Sequence, residues 1–302
     1  MKLDLSPIKR LFLKSFSSGF PRHVFPLAVA AVWTITLGHF IFQRGRRRHS
    51  ERFFRAMFPG ASASTIRCLT WRQYRAFSAL YLDRVRYQSG VPLRSSREGW
   101  EAIVQQKERN QGALLLMSHL GNWEAAALCF ARERFPLMLY VGAKENENLD
   151  EHMRAHLQAN GLQLVIADEG RANPTSVLTG YRFLKDGGFV AMAGDRIWSK
   201  DQPHLAVPCL GAKVYLPMAP FQLARSARVP IIPIFFPRVG PLRYHGIAAA
   251  PILCASAEVK DRDLDIRRAA EAYLAQLLEV VRRYPDQWHH FDAFFIDDCR
   301  VP

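Results

Sequence analysis

No Cys-x-x-Cys pair occurs in the 302 residues, and the five cysteines (Cys68, Cys129, Cys209, Cys254, Cys299) are scattered and odd in number. That argues against a disulfide framework or a zinc knuckle and makes a reducing, cytosolic face the default. A nucleophile elbow of the G-x-S-x-G type is missing, since Ser118 lacks the flanking glycines, and so are HExxH, a P-loop and a Gly-rich dinucleotide fingerprint. These absences remove the usual serine hydrolases, zinc proteases and nucleotide binders. Repeats, low-complexity tracts and Gly/Ser-rich linkers are absent as well. Acid is scarce in one region only. Residues 1–110 carry 20 Lys+Arg against 6 Asp+Glu, whereas residues 111–302 balance to zero.

What fills the basic third is an apolar segment, VFPLAVAAVWTITLGHFIF (24–42), followed at once by RGRRRHSERFFR. Nucleic-acid arms do not usually carry such a segment, and anionic headgroups attract juxtamembrane Arg and Lys at roughly 1 kcal/mol each. The expected partner is therefore a membrane surface and not nucleic acid. The segment is about as long as a bilayer core requires, roughly 20 residues, but contains Pro26, Thr34, Thr36 and His39 and has cations on both sides. The positive-inside rule gives no orientation, so a full span and a helix lying on one face both remain open. Arg-rich sequence stands where a cleavage site would lie, which argues against a signal peptide. Residues 1–60 are read as a membrane-associated helical segment and residues 61–302 as an α/β domain.

From Glu51 to about Gly90 the three- and four-residue spacing of apolar positions predicts helices. Aromatics and arginines alternate along them (Trp71, Arg72, Tyr74, Arg75, Phe77), which fits either a core face with a solvated face or a surface lying on headgroups. Beyond residue 112 short apolar runs alternate with amphipathic stretches: GALLLMSH, NWEAAALCFARER, FPLMLYVGA, NLDEHMRAHLQAN, LQLVIAD, PTSVLTGYRFLKDG, GFVAMAGD. Runs apolar on both faces predict strands covered by helices on both sides. Further strands are expected near VPIIPIFFP and YHGIAAAPI, with a long helix over 263–284.

SHLGNWE (118–124) then places His119 at the end of a strand and Glu124 in the first turn of the next helix. Gly121 permits the tight turn, and Asn122 could cap the helix. At a shared rim the carboxylate could hold one imidazole N–H and leave the other nitrogen as base. The plainer alternative is a capped helix whose first-turn Glu favours the dipole. His152 and His156 have metal-like spacing beside Glu151, but on a helix full of charges, where a solvated face is the better reading. No metal is expected.

HLGNWE resembles the H-x4-D/E block of the glycerolipid acyltransferase superfamily, and its Gly-Asn-Trp-Glu form is similar to the bacterial lipid A biosynthesis (lauroyl/myristoyl) acyltransferase family. FVAMAGDRIW (189–198), VPCLGAKVYLPMAPFQLARSARVPIIPIFFPR (207–238) and YPDQWHHF (284–291) resemble further blocks of that family in order and spacing. The resemblance covers roughly residues 20–295. It implies a mixed sheet flanked by helices at a membrane, and direct attack of a lipid hydroxyl on a thioester without an acyl-enzyme. His119 would be the base and Glu124 its orienting acid, with donors for the oxyanion around Gly121–Trp123. Arg196 could hold a phosphate, and Asp195 could support Arg196 or His119, unless the two merely close a turn. A further basic residue falls on Lys144 or Arg171, with Arg171 preferred. Asn122, Asp195, Arg196 and Arg171 are the expected substrate-binding set, while Gln287 and Trp288 pack the tail on the sheet.

No cofactor is implied beyond an acyl carrier protein or acyl-CoA thioester as co-substrate. Acyl carrier protein and membrane lipids are the expected partners, at the cytosolic side of a bacterial inner membrane. The Gly-Asp-Arg loop and the tail HHFDAFF depart from typical lipid A enzymes, which leaves other glycolipid, aminolipid or polyene-type acceptors open. A lyso-phospholipid enzyme would carry a Glu-Gly-Thr-Arg block after the acidic strand, and none is found. A hydrolase and a non-catalytic membrane-binding protein are the remaining rivals.

Overall fold

Three helices open the described chain: α1 (Phe25–Phe42), α2 (Arg44–Met57) and α3 (Ala63–Gln88). The computed structural model describes residues 25–142, 151–167, 174–197, 202–254 and 261–296. Lys144 and Arg171 lie outside them.

Alternation follows: β1 (Arg94–Glu98), α4 (Glu101–Glu108), β2 (Ala113–Gly121), α5 (Trp123–Arg132), β3 (Leu137–Gly142), α6 (Glu151–Ala159), β4 (Gln163–Ala167), α7 (Pro174–Lys185) and β5 (Phe189–Ala193). A hairpin of β6 (His204–Cys209) and β7 (Ala212–Pro217) leads into α8 (Ala219–Ala227), then β8 (Ile231–Phe236), β9 (Arg238–Gly240), β10 (Arg243–Ala248) and the long α9 (Arg262–Arg283).

The main sheet is mixed, in the order β1-β10-β8-β2-β5-β3-β4, with β9 paired to β10. Its centre is parallel, β2 lying between β5 and β8, and β10 runs antiparallel to β8. Both faces are covered, which is why β2 reads as an unbroken apolar run. Leu114 and Leu116 point into one core layer with Phe221 of α8 and Tyr273 and Leu277 of α9. Ala113, Leu115 and Met117 point into the other, with Ile103 of α4 and Phe130 of α5. The chain is thus an α/β fold with a central sheet between helical layers, as the sequence pattern predicts, and the sheet is mixed, as the family resemblance implies. β1 escaped the sequence analysis because RSSRE is exposed at every position and lies at the sheet edge.

The apolar segment is a helix, and α1 is long and apolar enough to cross a membrane by length and composition, with mean hydropathy 1.7. α2 is charged on one side, whereas Phe53, Phe54 and Met57 on the other enter the main core. α3 is joined to the rest of the chain at two levels along its length. Gln73 donates to the Trp288 carbonyl at 2.6 Å, and Asp83 accepts from Arg238, the Leu242 N–H and Tyr244.

Candidate active site

The ladder of β2 breaks between Met117 and Gly121, and His119 sits in the break. A buried backbone needs partners even where the ladder stops. Here they come from two distant segments: the His119 N–H donates to Asp195 Oδ2 at 2.8 Å, and the His119 carbonyl accepts from the His289 N–H at 2.8 Å. Leu120 forms a β-bridge with Trp288. The histidine is therefore fixed at its main chain before its side chain is considered.

Asp195 follows β5, the strand beside β2, so both reach the same rim. Its carboxylate is fully buried and accepts three bonds: the His119 N–H, His119 Nδ1 at 2.9 Å (Oδ1), and the Trp288 indole N–H at 2.8 Å. Burial alone would raise its pKa. The neighbouring His119, the hydrogen bonds from His119 and Trp288 and the Arg196 charge outweigh that and hold it well below the usual carboxylate range. An ionised carboxylate only accepts, which assigns the proton to Nδ1 and makes Nε2 the basic nitrogen of neutral His119.

Glu124 lies elsewhere than expected. Its carboxylate grips Arg84 of α3 in a two-pronged pair, Nε to Oε2 at 3.0 Å and Nη2 to Oε1, with both side chains largely buried. The acid on the imidazole Nδ1 is Asp195 and not Glu124. A helix-start Glu and a strand-end His share a rim, but sequence spacing does not set the direction in which each side chain leaves it.

The turn between them is tightly specified. Gly121 has φ +78°, and a Cβ there would stand 1.9 Å from the Phe236 carbonyl oxygen, so only glycine fits. Asn122 caps α5 through Oδ1, accepting the N–H groups of Glu124 (3.0 Å) and Ala125 (3.2 Å), while its Nδ2 donates to Tyr244 Oη. The Tyr244 hydroxyl donates in turn to Asp83. Burial and the charge of Asp83 push the Tyr244 pKa far up, so it remains a neutral donor. Both polar ends of Asn122 thus serve the fold, and the helix cap expected of it is formed. The Asn122 N–H, one candidate for the oxyanion, is likewise bonded to the Phe236 carbonyl.

Arg196 directs Nη2 to the His289 carbonyl at 3.0 Å, tying the loop after β5 to the tail. Trp288 does more than the packing expected of it, because its indole N–H completes the Asp195 cage. Gln287 accepts from the Arg238 N–H. Around them lies an aromatic wall of Phe77, Tyr81, His289 and Phe291. Burial, then the charges of His119 and Arg196, depress the His289 pKa to about 3, and burial does the same for His290. Sequence reasoning missed Arg84, Tyr244 and Asp83, which stand outside the four blocks that carry the family resemblance.

The fold and site define a class: an α/β protein with a histidine-carboxylate pair at the carboxyl ends of parallel strands, in a sequence without the G-x-S-x-G motif. The family model for bacterial lipid A biosynthesis acyltransferases matches residues 23–295. The chain belongs to that family and is an acyltransferase. A search of curated proteins found no match.

Proposed function

We propose that the protein is a membrane-associated O-acyltransferase that moves a fatty acyl chain from an acyl carrier protein or acyl-CoA thioester to a hydroxyl of a lipid A-like or other glycolipid acceptor. The observation that carries this is His119 held at Nδ1 by the buried Asp195. In this reading Nε2 takes the proton of the acceptor hydroxyl as its oxygen attacks the thioester carbonyl. The tetrahedral oxyanion then collapses, the C–S bond breaks, and the imidazolium returns the proton to the leaving thiolate. Asp195 stays ionised throughout and stabilises the imidazolium. An alcohol is a weak nucleophile, so proximity, which can supply roughly 7–11 kcal/mol, accompanies base catalysis. Glu124 acts through Arg84, locking α3 to the active-site rim, and is a positioning residue. The family and the apolar α1 support a bacterial membrane location, and the catalytic domain is placed on the cytosolic side, where thioester donors are found.

The test is to incubate membrane-extracted wild type and His119→Ala with a labelled acyl-carrier thioester and total host lipid, reading the lipid fraction by mass. A new acylated lipid made by wild type alone is expected and would name the acceptor. Background signal from both proteins, with acyl-CoA as donor as well, would overturn the reading.

A further inference from the structure

α1 and α3 run antiparallel and touch along nearly the whole of α1. Arg86 lies over the Phe25 ring at one end, Arg75 over Trp33 at the middle, Thr36 Oγ1 bonds Ser78 Oγ at 2.6 Å, and Phe40 meets Trp71 and Tyr74 edge-on at the other end. From Phe25 to Phe40 this seam is about 22 Å long at 1.5 Å per residue.

α3 is not a membrane helix. Arg67 and Arg75 are exposed on it, and it is bonded into the catalytic domain near both ends of the seam. Arg72 pairs with Asp286 and Gln73 bonds Trp288 near the Phe40 end, while Asp83 and Arg84 hold Arg238, Tyr244 and Glu124 toward the Phe25 end. If α1 stood across a bilayer, α3 and the rim of the sheet would stand beside it in the hydrocarbon. An arginine at mid-depth alone costs roughly 2.5–3.5 kcal/mol, and Arg75 lies at the level of Trp33, the midpoint of α1.

The side of α1 turned away from α3 is bare. Leu27, Ala30, Thr34, Leu37 and Ile41 recur at three- and four-residue steps and are exposed, flanked by Ile35 and Phe42, the last 82% exposed. Between the helices, Trp33, Thr34, Leu37, Trp71 and Arg75 line an open groove of about 360 Å³, which joins indole rings to a cation as interfacial sites do. Immediately after α1, Arg44, Arg46, Arg48 and Arg55 are exposed on α2.

We infer that α1 lies along one leaflet and does not cross the membrane. Its bare stripe enters the hydrocarbon, and the groove and the α2 arginines meet anionic headgroups. This rests on the proposed membrane association and deepens it: the active-site rim, bonded to the same α3, is held at headgroup depth, where an acceptor lipid presents its hydroxyls.

The test uses the full chain with Cys299→Ser, in inverted and right-side-out inner-membrane vesicles, labelled with a membrane-impermeant maleimide. The native, exposed Cys68 on α3 reports the side of the catalytic domain. Ser18→Cys and Arg46→Cys, each combined with Cys68→Ser, report the two flanks of α1. All three positions are expected to label in one vesicle orientation and to be protected in the other until detergent is added. Ser18→Cys labelling from the face opposite to Arg46→Cys would establish a span and overturn the inference while leaving membrane association standing. Recovery of the protein in the soluble fraction would overturn both.

Discussion

Three donors converge on one buried carboxylate, so Asp195 is the residue whose loss should be felt most after His119 itself. Asp195→Asn removes the charge that stabilises the imidazolium and presents an amide N–H where an acceptor is needed. We expect kcat to fall about 10²–10⁴-fold with little change in KM, in steady-state assays of the transfer reaction. Glu124 should behave differently. Because its partner is Arg84, Arg84→Met and Glu124→Gln should lower activity to the same extent, and the double variant should be no worse than either. Additive losses would mean that Glu124 acts on its own. The two buried histidines of the tail make a pH prediction. Held neutral with pKa about 3 in the fold against an ordinary 6.5, they bind fewer protons than in the unfolded chain between those values. Their contribution is complete above about pH 6.5 and is lost as pH falls through that window, by up to about 1.4 kcal/mol per pH unit for each. Denaturant midpoints measured from pH 7 to pH 4 should drop, and His290→Gln should flatten the slope.

At the scale of elements, the turn from β2 into α5 is the most exacting piece of chain. Removing the cap in Asn122→Ala should cost about 0.5–2 kcal/mol of stability in urea titrations, toward the upper end because the Tyr244 hydroxyl also loses its donor. This turn was legible in HLGNWE because glycine and asparagine have few other reasons to stand together between an apolar run and an amphipathic one. The central strands were legible for a related reason, since burial on both faces leaves no polar position to confuse the pattern. The outer parts were less so. β1 pairs through its backbone with β10 while showing only polar side chains, and the order of strands is set by which helices pack across them. Equally hidden was the partnership of His119 with Asp195, 76 positions apart along the chain. Neighbouring strands bring them together, and no local spacing records which strands are neighbours.

For the molecule as a whole, the basic first third and the neutral remainder are not separable bodies. Phe53, Phe54 and Met57 of α2 are all but fully buried in the main core, Phe53 edge-on to Trp288. A chain beginning at residue 61 would lose three apolar side chains worth roughly 1.5–3 kcal/mol each. It should melt at a markedly lower temperature or be insoluble, as circular dichroism would show, even with detergent standing in for the membrane. Finally, the tail that crosses the end of β2 bears on synthesis. Translation delivers α1 first, then the sheet, and only after α9 the residues whose N–H groups and indole close around His119 and Asp195. A ribosome-bound chain stopped at Arg283 would hold both members of the pair without their clamp. Catalytic competence would then arise only once the segment beyond α9 has been made, well after α1 has left the ribosome.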